Sequence, residues 1–263
     1  MKLHAETTGH GPLLALVHGW GLHSGIWDPV RPALEKQFRL VRLDLPGHGL
    51  SPRPHAGFDL ARAVEWLSEA LPWRCHVLGW SLGATLAMRF ALDQPDRVRR
   101  LVLVGATPRF LAGPDWNSGM APDVLEAFAA GLAADYRRTV QDFLTLQMRG
   151  DAHGATALKN LRARVFEHGA PSPEALRSGL AVLADTDLRP HLGRLHAPAL
   201  VLSGDRDRLT PADAGRYLAQ ALHHARFHAF SRCGHAPFLT HPAEFTDQLQ
   251  RFLGASEAPS NDP

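Results

Sequence analysis

The chain has 263 residues, of which 45% are hydrophobic and 21% charged, which predicts a folded globular protein with a large core and excludes a disordered chain. Its formal net charge is only +2 at pH 7, and no basic stretch alternates with aromatic residues, so we expect no nucleic-acid partner. No run approaches the roughly 18 apolar residues that a membrane-spanning helix needs, so we expect no membrane association.

The first two buried strands each lead into a glycine-rich loop. The apolar run 13–17 predicts a strand, and His18-Gly19-Trp20-Gly21 follows it directly. The run 38–43 predicts a second strand, followed at 44–51 by a loop of the pattern D-x-P-G-x-G-x-S. We expect that second loop to be a tight structural turn without a chemical role.

The strongest local signal is Gly79-Trp80-Ser81-Leu82-Gly83, which fits the pattern G-x-S-x-G. A short apolar strand pattern at 75–78 precedes it, and a largely apolar helix pattern at 84–92 follows it. The glycines suit a turn that brings backbone against backbone. This order of strand, turn and helix is the nucleophile elbow of α/β-hydrolases, and it predicts that Ser81 is a catalytic nucleophile.

That fold binds the oxyanion of its tetrahedral intermediate with two backbone N–H groups. One comes from the residue after the nucleophile, and the other comes from an early loop. These rules predict that the amides of Leu82 and Trp20 form the oxyanion hole. The alternative for the early loop is an ordinary glycine turn.

Two further polar residues follow later strand patterns and complete a triad in the chain order Ser, Asp, His. Asp207 follows the apolar run 199–203, and His235 follows the mixed run Ala225–Phe230. His235 would take the serine proton and return it to the leaving group, and Asp207 would hold the imidazole in the required tautomer. Asp205 competes for the acid role. We favour Asp207, because it stands three residues after the glycine that ends the strand, and interpret Asp205 as a turn residue that caps backbone N–H groups.

Strand and helix patterns alternate up to residue 105 and then give way to helical patterns alone. We predict an α/β-hydrolase fold: a mostly parallel central sheet with helices on both faces and a helical cap inserted between strands six and seven. The four cap helices are expected at 122–134, 136–148, 155–166 and 173–184. The expected divisions are a core of residues 1–108 and 186–253, a cap of residues 109–185, and a disordered tail of residues 254–263.

The cap supplies candidate contacts with a substrate and with a partner. Its apolar residues could line a channel for an acyl chain or could simply pack the cap onto the core; they include Phe110, Trp116, Phe128, Phe143 and Leu146. Between residues 135 and 168, basic residues (Arg137, Arg138, Arg149, Lys159, Arg162, Arg164) outnumber acidic ones (Asp135, Asp142, Asp151, Glu167). This excess could mark a docking surface or a solvated helix face.

Cysteine and histidine usage gives no indication of disulfides, metals or cofactors. Two cysteines, Cys75 and Cys233, do not make a disulfide framework, and residues 1–6 lack the apolar core of a signal peptide, so we expect a cytoplasmic protein. The 16 histidines show no H-E-x-x-H or similar ligand spacing, and there is no glycine-rich phosphate loop. We therefore expect no metal and no cofactor, and we expect a monomer.

Several segments together resemble one enzyme family. They are the loops at 18–21 and 79–83, the cap segment 138–147, residues 187–189, and the run 234–245 that begins with Gly-His-Ala-Pro-Phe. Through them the chain is similar, over nearly its whole length up to the tail, to the pimeloyl-[acyl-carrier protein] methyl ester esterases of biotin synthesis. The tryptophan in each loop, the cap segment and the His-Ala-Pro-Phe run carry this resemblance, since the triad motifs alone indicate only the superfamily.

The resemblance implies that the protein removes a methyl ester from pimeloyl attached to an acidic acyl carrier protein, which would dock on basic cap residues. Candidate docking residues are Arg138, Lys159 and Arg162, whereas Asp142 departs from the basic character expected on that face. The family's catalytic positions are occupied by Ser81, Asp207, His235, Trp20 and Leu82. Trp80 and Phe143 fall on its substrate-lining positions, and we add Trp20, Phe110, Phe128 and Leu146 as candidate substrate contacts.

Two alternatives share the same motifs. The triad would also serve a general short-chain carboxylesterase or a hydrolase of carbon–carbon bonds. A ligand-binding receptor or scaffold of this fold could keep the triad without catalysis. A panel of ester substrates distinguishes the first alternative, and a serine-directed fluorophosphonate probe distinguishes the second.

Overall fold

A seven-stranded sheet forms the centre of the computed structural model, which describes residues 1–254. In chain order the strands are β1 (Ala5–Gly9), β2 (Leu13–Val17), β3 (Arg39–Leu43), β4 (Cys75–Trp80), β5 (Val98–Val104), β6 (Ala199–Gly204) and β7 (Ala225–Phe230). They lie in the order β1-β3-β2-β4-β5-β6-β7, and all neighbours are parallel except β1 and β3. Every residue of β4 and β6 is buried, which explains why their sequences are mostly apolar.

The apolar pattern does not indicate the first strand, β1. Its sequence, Ala-Glu-Thr-Thr-Gly, is mostly exposed and lies at the edge of the sheet. It pairs antiparallel with β3, with Ala5 opposite Leu43. An edge strand with two solvated faces needs no apolar residues, so its position is set by backbone pairing.

Nine α-helices accompany the sheet in the described residues. They are α1 (Arg31–Leu34), α2 (Leu60–Ala70), α3 (Leu82–Asp93), α4 (Pro122–Gln147), α5 (Gly154–Arg164), α6 (Pro173–Asp185), α7 (Ala212–Ala221), α8 (Pro237–Thr240) and α9 (Pro242–Leu253). Helix α3 packs on β4 and β5, and α7 packs on β6 and β7. Buried apolar side chains of strands and helices form one continuous core. The predicted α/β-hydrolase fold is confirmed.

Helices α4 to α6 form the insertion, and they differ from the prediction in number and place. The insertion lies between β5 and β6, so it follows the fifth strand and not the predicted sixth. The described sheet has one strand fewer before the insertion than the prediction counted, since only β1 precedes β2. Helix α4 spans both of the first two predicted helices and kinks at Asp135, whose φ of −154° and ψ of 92° are not helical. The Asp135 carboxylate accepts the N–H of Arg138 at 3.0 Å, so it caps the second half of the helix. The insertion therefore contains three helices, one of them kinked.

The ends of the insertion are held together. Arg109 and Asp187 form an isolated antiparallel bridge where the chain leaves and re-enters the core. The domain boundaries at 108 and 186 stay a prediction. Of the predicted tail, residues 255–263 lie outside the described residues. Within residues 1–254, none of the helices is both long enough and apolar enough to cross a membrane.

Candidate active site

Ser81 lies on a sharp turn between β4 and α3. Its φ of 56° and ψ of −120° are uncommon for a residue with a side chain. A methyl group on Gly79 would collide with the carbonyl of Gly83, and one on Gly83 would collide with the carbonyl of Val17. Both flanking glycines are therefore required by close backbone contacts. The turn leaves Ser81 at the carboxyl end of β4, with 6% of its surface exposed.

His235 and Asp207 form a fully buried pair. The Nδ1 atom of His235 lies 2.7 Å from Oδ2 of Asp207, and neither side chain is exposed. Because the carboxylate can only accept, we assign the proton to Nδ1. Nε2 of His235 is buried and has no hydrogen-bond partner within residues 1–254. This nitrogen can therefore serve as a proton acceptor.

The Asp207 carboxylate accepts more than the histidine N–H. Its Oδ1 atom accepts the backbone N–H groups of Leu209 at 2.8 Å and Thr210 at 3.0 Å. Its Oδ2 atom also accepts the hydroxyl of Thr210 at 2.7 Å. These bonds fix the orientation of the carboxylate. Thr210 belongs to none of the predicted site residues, although a hydroxyl three residues after the acid is a signal that could identify it.

Trp80 brings the histidine to the elbow. The indole N–H of Trp80, the residue before Ser81, donates to the carbonyl of His235 at 2.9 Å, and the two rings lie 5.5 Å apart. A methyl group on Gly105 would lie 2.8 Å from Cε1 of His235, so the imidazole also lies beside the end of β5. The structure thus brings Ser81, His235 and Asp207 to one edge of the sheet.

Asp205, the alternative acid, has a different partner. Its Oδ1 atom accepts the backbone N–H of Cys233 at 3.1 Å. This geometry matches the interpretation of Asp205 as a turn residue that caps backbone N–H groups. Asp207 is the residue whose carboxylate contacts the His235 ring.

The loop that contains Trp20 lies against the serine. A methyl group on Gly19 would lie 3.1 Å from Cβ of Ser81. The amides of Trp20 and Leu82 have no acceptor within residues 1–254, so both N–H groups are available to an oxyanion. Helix α6 covers this region, since the indole N–H of Trp20 donates to the carbonyl of Leu176 at 2.8 Å.

Two neutral histidines, His18 and His48, connect the loop that contains Trp20 to the loop at 44–51. Burial lowers the pKa of His18 to about 3, assisted by the nearby His48, and burial lowers the pKa of His48 to about 4. His48 accepts the N–H of Gly21 at 3.2 Å, and His18 accepts the N–H of Leu45 at 2.9 Å. The loop at 44–51 therefore supports the candidate oxyanion loop, consistent with the structural role expected for it.

The predicted substrate contacts fall into three groups, according to the residues that each one packs against. Phe143 makes edge-to-face contacts with Trp20 at 4.8 Å and with Phe128 at 5.3 Å between ring centroids. Trp80 is buried against Trp27 and Phe238 as well as His235. Trp20, Phe128 and Phe143 thus form one apolar wall from core loop to cap. Phe110 and Leu146 pack into the apolar core without a ring contact to this wall among the described residues.

The predicted docking residues lie on one exposed face of α4 and α5. Arg138, Asp142 and Thr145 follow the i, i+4, i+7 spacing that places side chains on one side of a helix. Arg162 of α5 donates to the Thr145 hydroxyl at 2.8 Å, which joins the two helices on that side. Lys159 is exposed one turn before Arg162. Arg138 is 80% exposed and is only loosely paired with Asp142, at 3.8 Å.

Other reactive side chains are inert or internally bonded. Burial raises the pKa of the Cys75 thiol to about 12, and burial also raises the pKa of Cys233, so neither is a ready nucleophile. Two groups have donor atoms within 4.8 Å of one another and could hold a metal: one is His23, Asp44 and His168, and the other is Asp151, Cys233 and His241. The carboxylates of Asp44 and Asp151 already accept backbone N–H groups.

The chain is similar to known proteins over most of its length. A family model of the α/β hydrolase fold matches residues 12–242. A pimeloyl-[acyl-carrier protein] methyl ester esterase from Nitrosomonas europaea is 44% identical over 244 residues, covering 93% of this chain and 96% of that protein. One from Xanthomonas axonopodis pv. citri is 41% identical over 257 residues, covering 96% and 99%. A bromoperoxidase from Bacillus anthracis superposes with a TM-score of 0.89 at 24% identity, covering 96% and 95%, which concerns the fold alone.

Proposed function

Because the chain belongs to the α/β-hydrolase superfamily and, within it, to the pimeloyl-[acyl-carrier protein] methyl ester esterase family, we propose that it hydrolyses the methyl ester of pimeloyl-[acyl-carrier protein] in biotin synthesis. The observation that carries the proposal is the buried Asp207–His235 pair, whose free Nε2 atom lies at the same sheet edge as the elbow serine. Such a pair activates a serine for attack on an ester carbonyl.

In the proposed reaction, Ser81 Oγ attacks the ester carbonyl while Nε2 of His235 takes the hydroxyl proton. The tetrahedral oxyanion accepts hydrogen bonds from the amides of Trp20 and Leu82, each worth roughly a factor of 10²–10³ in kcat. The bond to the methoxy oxygen then breaks, and His235 returns the proton, so that methanol leaves. Water then attacks the acyl-enzyme while Nε2 of His235 takes a proton from it. His235 returns this proton to the Ser81 oxygen, which releases the free carboxylate and restores Ser81.

We propose that the exposed basic face of α4 and α5 binds the acidic carrier. Arg138, Lys159 and Arg162 are exposed there, and no carboxylate of the described residues lies within 4.0 Å of Lys159 or Arg162. A carrier bound on this face would lie over the cap, whose Phe143 and Phe128 reach down to Trp20. The apolar wall would then hold the acyl chain on its path to Ser81.

We also place the protein in the cytoplasm as a monomer that meets its carrier transiently. Both cysteines, Cys75 and Cys233, are free and buried, which suits a reducing compartment. The carrier contact would be electrostatic and would form and dissociate in each turnover.

Growth of a biotin-requiring strain that lacks its own esterase tests the proposed function. The wild-type gene should restore growth without biotin, and Ser81→Ala should not. Ser118→Ala, a partly exposed serine before α4, is the matched control and should restore growth. If the wild type fails to restore growth but hydrolyses short p-nitrophenyl esters, the protein is a general carboxylesterase.

A further inference from the structure

The backbone that carries the catalytic imidazole is held by the cap. The N–H of Gly234 donates to Oδ2 of Asp151 at 2.8 Å, and the N–H of His235 donates to the carbonyl of Gln147 at 3.0 Å. Gln147 ends α4, and Asp151 lies in the turn between α4 and α5. Two successive amides next to the active imidazole are therefore bonded to the inserted segment.

Two more contacts join the same segments. The N–H of Ala152 donates to the carbonyl of Arg232 at 2.9 Å. A methyl group on Gly234 would lie 2.6 Å from the carbonyl oxygen of Gln147, so the two backbones touch there. Residues 147–152 and 232–235 thus form a short, continuous backbone junction.

The core holds the other side of this junction. Asp205 accepts the N–H of Cys233 at 3.1 Å, and the carbonyl of Cys233 accepts the N–H of Arg206 at 2.9 Å. The guanidinium of Arg206 in turn donates to the carbonyl of Gly150 at 3.1 Å. The histidine loop is therefore clamped between the acid loop and the cap turn.

Asp151 is the side chain through which the cap makes this clamp, and its chemistry is specific. Its Oδ1 atom accepts the N–H of His153 at 2.7 Å while Oδ2 accepts the N–H of Gly234. An asparagine would present an NH₂ group to one of these two donors, so it can replace one bond but not both. The carboxylate orders its own turn and the histidine loop at once.

We propose that Asp151 is a positioning residue for His235, and that it couples the cap to the catalytic triad. This inference rests on the proposed catalytic role of His235. The cap turn lies between the helices that bear Arg138 on one side and Lys159 and Arg162 on the other. A carrier bound to those helices would therefore lie on the two elements that flank the turn, and this turn holds the backbone of His235.

The test compares Asp151→Ala and Asp151→Asn with the wild type on p-nitrophenyl butyrate and on the carrier-linked methyl ester. We expect kcat to fall roughly 10–100-fold in Asp151→Ala on both substrates, with KM within about twofold, because a displaced base slows the chemical step. Asp151→Asn should fall between Asp151→Ala and the wild type. Glu126→Gln, an exposed acid on α4, is the matched control and should keep the wild-type kcat.

A second measurement requires no substrate. The Nδ1 proton of His235, bonded to Asp207, should give a low-field proton NMR signal that disappears in Asp207→Asn. In Asp151→Ala this proton should exchange with solvent faster than in Glu126→Gln, and Asp151→Asn gives the answer if the alanine variant does not fold. An unchanged kcat, an unchanged exchange rate, or a rise in KM alone would overturn the inference. Failure of the carrier-linked substrate in the wild type would instead count against the proposed function.

Discussion

The Asp207 carboxylate accepts hydrogen bonds from four donors, and these bonds determine how it orients the His235 imidazole. It accepts two backbone N–H groups, the Thr210 hydroxyl and the His235 N–H, all within 3.0 Å. A carboxylate with four donors around it cannot rotate away from the imidazole readily. The imidazole is consequently held with Nε2 free for the serine proton.

Asp207→Asn should therefore be far more damaging than Asp205→Asn. The amide would present an N–H to a donor and would favour the wrong imidazole tautomer, so we expect kcat to fall by about 10⁴. Asp205→Asn keeps an oxygen for the Cys233 N–H and should lower kcat by less than about tenfold. Steady-state hydrolysis of p-nitrophenyl butyrate measures both, and the opposite ranking would identify Asp205 as the acid.

The sequence identifies functional residues that lie within a local motif. It does not identify residues whose role depends on a contact with a residue distant in the sequence. Ser81, Asp207 and His235 each follow a strand in a recognisable motif, and the structure places them at one edge. Asp151 has no motif, because its partner, Gly234, is 83 residues away. Apolarity alone suggests Phe110 and Leu146 as substrate contacts, and apolarity does not distinguish a channel wall from core packing.

At the scale of elements, α4 and α5 present the basic face proposed for the carrier. If this face docks an acidic partner, reversing three charges with Arg138→Glu, Lys159→Glu and Arg162→Glu should raise KM for the carrier-linked ester at least tenfold. Hydrolysis of a small ester should change little, because the triad is not altered. The wild-type KM for the carrier-linked ester should also rise with salt, since exposed charges are screened beyond about 8 Å at physiological ionic strength.

The matched control reverses Lys36, Arg74 and Arg226, which are exposed and lie outside the cap. It changes net charge equally and should leave both substrates unaffected. Equal losses on both substrates in the cap variant would mean that the substitutions damaged the cap. An unchanged KM for the carrier-linked ester would contradict docking on this face.

The strands and helices also show where the apolar pattern of the sequence predicts secondary structure well. Apolar runs locate the buried strands, because a parallel strand covered on both faces must be apolar throughout. The polar edge strand β1 escapes that rule, since its place depends on pairing with β3. The sequence pattern predicts two helices where the structure has α4; Asp135 marks the break between them, but the helix continues through it with a kink.

For the whole molecule, the buried histidines beneath the candidate oxyanion loop make stability depend on pH. His18 and His48 are neutral in the folded protein down to pH values of about 3 and 4, whereas in the unfolded chain they take up protons below about 6.5. The unfolded state therefore binds more protons between these values. The part of the stability that these two histidines contribute is fully present above pH about 6.5 and decreases as the pH falls toward 3.

We expect the free energy of unfolding in urea to fall by up to about 1.4 kcal/mol per pH unit for each histidine below pH 6.5. His48→Gln can still accept the N–H of Gly21 and donate to the carbonyl of Pro46, but it does not titrate, so its pH dependence should be shallower. The exposed His10→Gln is the control and should follow the wild type. Parallel curves for His48→Gln and the wild type would show that His48 does not contribute.

Mass spectrometry of the intact carrier can directly follow hydrolysis of the carrier-linked methyl ester of pimelate. We expect the wild type to convert this ester to the free carboxylate with release of methanol, and we expect Ser81→Ala, though folded, to lose on the order of 10⁶ in kcat. No conversion by a folded wild-type protein, or conversion by Ser81→Ala at a few per cent of the wild-type rate or more, would contradict this expectation.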